Sequence, residues 1–265
     1  MLARRGLVAV ALALVACAKF SGEESPPPDA STPIEAGAPD AADGAVEEPV
    51  DATIVTCATI VPPPVFCDDF DGEESLEKKW PTKNAGGGGA TVSRNEEAFR
   101  SPPRSLKAEV GATNIDATAN VTAPIAGLGA RVQLDYDLLV VTYDGASPLP
   151  LNNLVVGDLR VNLFILGDRV SLASRIENST MLGKEQFITG FGDLKAWHHV
   201  TIVVSRSANP ARVTVKVDGV TRVDDEAIDL KANEASTGLV MAGIYYTKPP
   251  NPAKLRVDNV VVRAL

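Results

Sequence analysis

Alternating apolar and polar residues predict β-strands along much of the chain, and the clearest case is a hairpin within residues 197–220. Apolar residues occupy every second position on both of its strands: Val200, Ile202 and Val204, then Val213, Val215 and Val217. This two-residue period is typical of strands that bury one face. The segment SRSANPA joins the two strands, and Asp218-Gly219 predicts a tight turn into a third.

The same pattern returns in the middle of the chain. Residues 131–141 alternate Val132, Leu134, Tyr136 and Leu138 with polar residues, and a second hairpin is centred on Gly167-Asp168. No amphipathic helix longer than two turns is visible. These signals predict an all-β, two-sheet antiparallel sandwich of roughly 12 to 14 strands, with Trp197 packed between the sheets.

Composition and charge limit the possible functions. Most of the net charge of −9 comes from residues 18–56, which carry nine acidic residues against Lys19 alone. Residues 57–265 are nearly neutral and show no basic stripe, which argues against nucleic acid as a partner. They are numerous enough to form one large β domain with its own core.

Residues 1–17 have the pattern of an export signal. Two arginines precede an apolar run that is too short for an ordinary membrane-spanning helix. Leu14-Val15-Ala16-Cys17 resembles the lipobox of bacterial lipoproteins, which implies cleavage before Cys17 and lipidation of that cysteine. Ala18 is not the aspartate that marks inner-membrane retention, so the resemblance implies anchorage in the outer membrane or at the cell surface. A simple secretory signal with a chance cysteine is the alternative.

Residues 18–56 are rich in Pro, Ala, Asp and Glu and have no apolar period. Such a composition buries too little surface to offset the entropy of ordering, so we expect a disordered acidic tether. A binding tail for cations or a basic partner is the alternative interpretation.

Cys57 and Cys67 are the two cysteines that remain once Cys17 is assigned to lipid. In an oxidising compartment we expect them to form a disulfide that pins the first strand. A redox-active or metal-binding pair is the alternative, but no histidine or further cysteine lies nearby.

Several segments of the remaining chain resemble one superfamily. They are FCDDFDG, the nearby Trp80, SPPRSLKAEV, WHHVTI with a following VDG, and the closing LRVDNVVV. Together they are similar to the concanavalin A-like lectin/glucanase superfamily, in its laminin-G-like branch, over about residues 65–265. The resemblance implies a jelly roll in residues 57–265, but this fold hosts lectins, hydrolases, lyases and adhesion modules alike.

Catalytic motifs of the superfamily are incomplete in this sequence. Laminarinase-like hydrolases carry E-x-D-x-E on one strand, and no such pattern occurs here. The strand MAGIYYTK shares Gly243 and Tyr245 with the Y-F-K-x-G-x-Y strand of alginate-lyase-like members, but the phenylalanine and lysine are replaced. Their arginine and Gln-x-His strands are not recognisable either. His198 and His199 are adjacent, so they face opposite sides of a strand and cannot act together. We therefore expect no catalytic residues.

Acidic residues near both ends of the domain suggest a calcium site. Many jelly rolls of this type hold a structural ion where the first and last strands meet, and Asp69, Asp71 and Asp258 are the matching acids by position. Ca²⁺ favours such oxygen ligands. The alternative is that residues 68–71 simply form a turn.

A glycan-binding surface on the concave sheet is the second candidate site, since aromatic rings can stack on sugar faces. Trp80, Tyr143 and Tyr246 are the candidate ligand-binding residues, although binding at the loop rim is equally open. The sequence thus predicts a non-catalytic, surface-tethered lipoprotein that binds a carbohydrate or another cell-envelope component. A divergent polysaccharide hydrolase or lyase and a protein-binding adhesion module are the alternatives.

Overall fold

A computed structural model describes residues 57–112, 115–248 and 252–265. The predicted signal peptide, Cys17 and the acidic tether lie outside these residues, so lipidation and anchoring stay predictions. None of the helices within the described ranges has the length and apolar character needed to cross a membrane.

Strands are nearly all of the regular secondary structure in the described chain, which has one short helix, α1 (Leu76–Lys79), and a 3₁₀ turn at Cys57–Thr59. The strands are β1 (Phe66–Asp68), β2 (Thr82–Gly86), β3 (Thr91–Asn95), β4 (Ser105–Val110), β5 (Ala117–Ala126), β6 (Arg131–Tyr143), β7 (Leu149–Val156), β8 (Leu159–Leu166), β9 (Arg169–Ile176), β10 (Gln186–Ile188), β11 (His198–Ser205), β12 (Arg212–Val217), β13 (Val220–Ala227), β14 (Thr237–Thr247) and β15 (Ala253–Ala264). Fifteen strands slightly exceed the expected number, and β1 and β10 have only three residues each.

The strands form two antiparallel sheets. Sheet A has the order β13-β12-β11-β6-β15-β4-β3, and β1 also pairs with β15. Sheet B has the order β10-β9-β8-β7-β14-β5-β2. The predicted all-β, two-sheet antiparallel jelly-roll sandwich is therefore confirmed.

Both predicted hairpins form. In β11–β12, Val200 pairs with Val217 and Val204 with Val213, and in β8–β9 the turn lies at Gly167-Asp168. The alternating apolar residues are buried between the sheets, where branched side chains supply most of the core.

The core contains a different tryptophan from the one expected. Trp80 is fully buried and stacks on Phe70 with a centroid distance of 6.0 Å. Trp197 lies just before β11, is only half-buried and lies outside the hydrophobic core. The prediction for Trp197 is wrong because the strand alternation that buries the following valines begins one residue later, at His198.

A disulfide joins Cys57 to Cys67, as the sequence predicts. Cys67 is the central residue of β1, which pairs with Val260 to Val262 of β15. The bridge therefore ties the first described residues to the C-terminal strand of sheet A.

Candidate functional site

Polar side chains form a groove on the face of sheet B that is turned away from the core. On β8, Val161, Leu163 and Ile165 are buried between the sheets, so Arg160 and Asn162 point to the opposite face. This sheet B groove encloses about 350 Å³ and is lined from five strands by Asn84, Thr118, Asn120, Thr122, Asn153, Arg160, Leu239, Met241 and Tyr245.

Two arginine side chains contact one tyrosine at this groove. Arg160 and Tyr245 line it, and Arg175 adjoins it through Tyr245. Arg160 and Arg175 are direct partners across the β8–β9 hairpin. The guanidinium carbon of Arg160 lies 4.7 Å from the centroid of the Tyr245 ring, an attractive cation–π arrangement. Arg175 Nη2 donates a hydrogen bond of 3.0 Å to the Tyr245 hydroxyl oxygen. We call these three residues the arginine–tyrosine cluster.

The two arginines differ in how their charges are compensated. Arg160 forms an ion pair with Glu177, and both side chains are largely shielded from solvent. Arg175 takes part in no ion pair within the described part of the chain; its hydrogen-bond acceptor in the cluster is the neutral Tyr245 hydroxyl. The positive charge of Arg175 is thus available to an anion, and a guanidinium can bind a carboxylate through two parallel hydrogen bonds.

Amide side chains occupy the rest of the groove. Asn84 Nδ2 donates to Asn120 Oδ1 at 3.0 Å, and Asn120 Nδ2 donates to the backbone oxygen of Ile244 at 2.9 Å. Asn153 Nδ2 donates to the Met241 sulfur at 3.3 Å, and a thioether is a weak acceptor that a ligand hydroxyl can replace. Amides both donate and accept hydrogen bonds, so this part of the groove suits hydroxyl groups.

The groove lacks the groups that glycoside hydrolysis requires. None of its lining residues is an aspartate, glutamate or histidine, whereas hydrolysis commonly uses a pair of carboxyl groups. Its Tyr245 hydroxyl, held by Arg175, is a group that could exchange a proton with a ligand.

Trp80, predicted to bind ligand, is instead a core residue. Its side chain is fully buried, and Nε1 donates a hydrogen bond of 2.6 Å to the buried carboxylate of Asp68. Phe66 packs edge-on against the same ring. The prediction for Trp80 is wrong because the ring has no surface left for a ligand.

The two predicted tyrosines lie apart from each other. Tyr143 ends β6, and its hydroxyl is within hydrogen-bond distance of the backbone oxygens of Ser147 and Ile165. Tyr246 is half-buried beside Tyr245, with 5.6 Å between the ring centroids. Neither tyrosine lines the sheet B groove, so ligand binding by Tyr143 or Tyr246 stays a prediction.

Of the three acids of the predicted calcium site, Asp69 and Asp71 share one turn, in which the Asp71 backbone N–H donates to Asp69 Oδ1, and Asp258 has its own set of partners. Asp69 accepts from the backbone of Cys57, and Asp71 from that of Arg104. Asp258 is fully buried and accepts from the backbone amides of Arg100 and Ser101.

These contacts involve all three carboxylates of the predicted ligand set. Burial raises the pKa of Asp258 to about 7, despite the amide hydrogen bonds that favour its charged form. Within the described ranges, no three His, Cys, Asp or Glu residues are placed to hold a metal ion. Asp69, Asp71 and Asp258 are thus not gathered into one ligand set among the described residues, and their binding of calcium stays a prediction.

The two histidines lie on sheet A and face opposite sides, as predicted. His198 is buried, and its two ring nitrogens contact Asp218 and the backbone oxygen of Asp193. His199 is exposed on the outer face, with Nδ1 2.9 Å from Asp137. Both contacts give the histidines structural partners away from the sheet B groove.

Sequence analysis missed the arginine–tyrosine cluster, although a signal for it was present. The predicted hairpin at Gly167-Asp168 places Arg160 opposite Arg175 by symmetry about the turn. In the sequence, Tyr245 is marked only because its segment, MAGIYYTK, resembles a strand of alginate-lyase-like proteins. What the sequence does not show is the strand order that pairs β14 with β7, one strand away from β8.

The comparisons with known proteins concern the fold. No protein-family model and no curated protein matches the chain. Among solved structures, the endo-β-1,4-glucuronan lyase of the fungus Trichoderma reesei matches with a TM-score of 0.57 and 12% identity, over 76% of this chain and 96% of that one. The globular domain of T. cruzi calreticulin matches with a TM-score of 0.51 and 11% identity, over 75% of this chain and 87% of that one. Identities this low show the fold alone, and the described residues thus form a concanavalin A-like sandwich.

Proposed function

We propose that the sheet B groove binds an acidic polysaccharide and does not cleave it. The observation that carries this proposal is the convergence of Arg160 and Arg175 on Tyr245, beside the amides of Asn120 and Asn153. An acidic sugar presents one carboxylate and several hydroxyls on each ring. The groove offers a matching guanidinium and several amides.

Arg175 is the residue that selects for charge. Arg160 already has a carboxylate partner in Glu177, so a ligand carboxylate gains most by approaching Arg175. Buried or partly shielded charge pairs are less screened by salt than exposed ones. Binding should therefore distinguish an acidic chain from a neutral chain of the same length.

The lining of the groove argues against hydrolysis. Two carboxyl groups on either side of a glycosidic bond are the usual requirement for hydrolysis, and the groove lining supplies neither.

Membrane anchorage through Cys17 is part of the proposal. The lipobox-like segment and the acidic stretch after it support a domain held at the cell surface or outer membrane. From there it would contact a polysaccharide of the cell envelope or its surroundings. The resemblance of several sequence segments to the laminin-G-like branch supports such a binding role.

Isothermal titration of the protein with oligoglucuronate, oligomannuronate and a neutral cello-oligosaccharide tests the proposal. We expect binding of at least one acidic oligosaccharide and much weaker binding of the neutral one. Arg175→Gln should weaken acidic binding by about tenfold or more, the scale of one lost charged hydrogen bond. Arg131→Gln removes the same charge from an exposed position on sheet A and should have no effect. Equal binding of acidic and neutral chains would contradict the proposal.

A second candidate function, β-elimination, is favoured by one observation. The Tyr245 hydroxyl receives a hydrogen bond from Arg175, which places a proton-transfer group beside a cation that could neutralise a uronate. Prolonged incubation with the same oligosaccharides, followed by mass spectrometry, separates the two functions. Unsaturated products that disappear in Tyr245→Phe would establish a lyase and overturn the non-catalytic proposal.

A further inference from the structure

Phe187 is exposed at the edge of sheet B, although its two neighbours are not. It is the middle residue of β10, and its side chain is 60% exposed, whereas Gln186 and Ile188 are buried. Burying a phenylalanine ring stabilises the folded protein, and the exposed ring of Phe187 does not contribute this free energy.

The strand register places Phe187 on the same face as the sheet B groove. Phe187 pairs with Ser171 on β9, which pairs with Phe164 on β8, and Phe164 pairs with Pro150 on β7. Directly paired residues of antiparallel strands point to the same side. Phe164 follows Arg160 by four residues, so the row of Phe187 and the arginine–tyrosine cluster share one face of the sheet.

A cavity of about 540 Å³ lies against the Phe187 ring. Val170 and Phe191 add apolar surface to its lining, while Asp168, Arg169 and Thr189 add hydrogen-bonding groups, two of them with opposite charges. An aromatic ring next to a few polar groups is the composition of a site for a sugar ring, which has an apolar face and a hydroxylated rim.

The distance to the groove fits one extended ligand. Strand β10 lies four strand spacings, roughly 19 Å, from β14, which carries Tyr245, and Arg175 lies four residues, about 13 Å, along β9 from Ser171, the partner of Phe187. One sugar ring cannot touch both ends, but an oligosaccharide that crosses the strands can.

We propose that Phe187 and the cavity beside it form a second subsite, which stacks against a sugar ring of the same polysaccharide chain that the arginine–tyrosine cluster holds by its carboxylate. This inference rests on the proposed function. It adds that the protein recognises a stretch of several sugars and that stacking on the Phe187 ring at the β10 end requires no carboxylate on the sugar.

Affinity as a function of ligand length tests the subsite. We would titrate the protein with oligoglucuronates of three and eight sugars. Phe187→Ala should weaken octasaccharide binding by about tenfold and leave trisaccharide binding unchanged, because the short ligand is held at the arginine end. Phe187→Trp should retain the octasaccharide affinity. Phe99→Ala is the matched control, since Phe99 is also an exposed phenylalanine, at 39%, and lies in the loop between β3 and β4.

The outcomes separate this inference from the function on which it rests. If wild-type protein binds neither ligand, the proposed function fails and the subsite fails with it. If both ligands bind and Arg175→Gln weakens both, while Phe187→Ala changes neither or both equally, the subsite alone is wrong. A change in sedimentation on Phe187→Ala without a change in octasaccharide affinity would also overturn it, because Phe187 would then contact a second copy of the chain.

Discussion

At the scale of single residues, the outer face of sheet A carries a hydrogen-bonded set of charges around His199. Asp137 and Asp135 alternate along β6, and the His199 ring lies 2.9 Å from the first and 3.8 Å from the second. Asn259 and Thr201 donate further hydrogen bonds to these two carboxylates. Each carboxylate is therefore buried with partners, and His199 is the exposed member of the set.

The pKa of His199 is raised above its ordinary value, mainly because its ring hydrogen-bonds to Asp137. The folded protein therefore binds this proton more tightly than the unfolded chain does. The resulting stability is present in full below about pH 6.5 and is lost as the pH rises through the folded pKa. We predict that Asp137→Asn lowers the His199 pKa and destabilises the protein more at about pH 5 than at about pH 8.

Proton NMR titration of the histidine ring and urea unfolding at both pH values would check this prediction. Asp224→Asn, which neutralises an exposed carboxylate on β13, is the control and should change neither quantity. An unchanged His199 pKa in Asp137→Asn would show that the hydrogen bond does not set it.

Single residues also show where sequence reasoning works and where it stops. His198 and His199 were placed on opposite faces correctly, because alternation within a strand is local. The predictions for Trp80 and Trp197 are wrong, because each residue lies just outside a regular strand, where alternation no longer specifies which way a side chain points. Arg160 and Arg175 face each other across a predictable hairpin, but Tyr245 reaches them through the pairing of β14 with β7, two strands distant in sequence that no local pattern links.

At the scale of elements, β14 connects the core to the groove. It pairs with β5 on one side and β7 on the other, and it carries both core residues and the groove residues Met241 and Tyr245. Gly243 lies between them with a φ of +112°, in the region that favours glycine. A Cβ atom there would lie 2.5 Å from the backbone oxygen of Ala119 and 3.0 Å from the Cα atom of Asn120.

We predict that Gly243→Ala lowers the free energy of unfolding by about 1–3 kcal/mol, because β5 must move away from β14. The same displacement should shift Asn120 and weaken binding in the sheet B groove. Urea unfolding and oligosaccharide titration would measure the two effects. Gly72→Ala is the control, because a Cβ at Gly72 has no atom within 4 Å. Equal stability of the two variants would contradict this account of β14.

The short strand β1 depends on a covalent link as well as on pairing. Only three residues of β1 pair with β15, and the disulfide closes the loop from Cys57 to Cys67. We predict that the double variant Cys57→Ser with Cys67→Ser loses roughly 2–3 kcal/mol of stability, mainly because the unfolded chain is no longer restricted. Urea unfolding of the wild type with and without reductant should reproduce the difference. Coincident unfolding curves would mean that the bridge contributes nothing.

Strands were predictable to the extent that they are long and half-buried. The β8–β9 and β11–β12 hairpins follow from alternation and turn residues, and both formed as expected. The edge strand β10 has too few residues to show a period, so nothing marked Phe187 in advance. Bulges in β14 and β15 shift the register between partners and are likewise not visible in the sequence.

At the scale of the whole molecule, the sandwich fold could be predicted from repeated strand signals and from the resemblance carried by the terminal motifs. The location of a ligand could not, because it depends on which residues converge across the completed sheets. The sugar-binding aromatic residues are predicted from residue type alone, which does not distinguish a surface ring from a core ring. One of them, Trp80, packs in the core.

The predicted lipid anchor can be tested on the full chain. We predict that wild-type protein expressed in a bacterial host fractionates with membranes and that Cys17→Ser moves it to the soluble fraction. Mass spectrometry of the mature N-terminus should find acyl groups on Cys17. Membrane association that persists in Cys17→Ser would contradict lipidation as the means of attachment.

The central position of β15 affects when the domain can fold. This strand lies between β6 and β4 in sheet A and also pairs with β1, so it holds together residues from across the domain. Until residues 253–264 have been synthesised, β4 and β6 lack the strand that joins them in sheet A. The strand β1 lacks its pairing strand for the same time. The domain must therefore stay open until its final strand has been made, a late closure that favours slow folding. The predicted export through a membrane, which would require an unfolded chain, is compatible with this late closure.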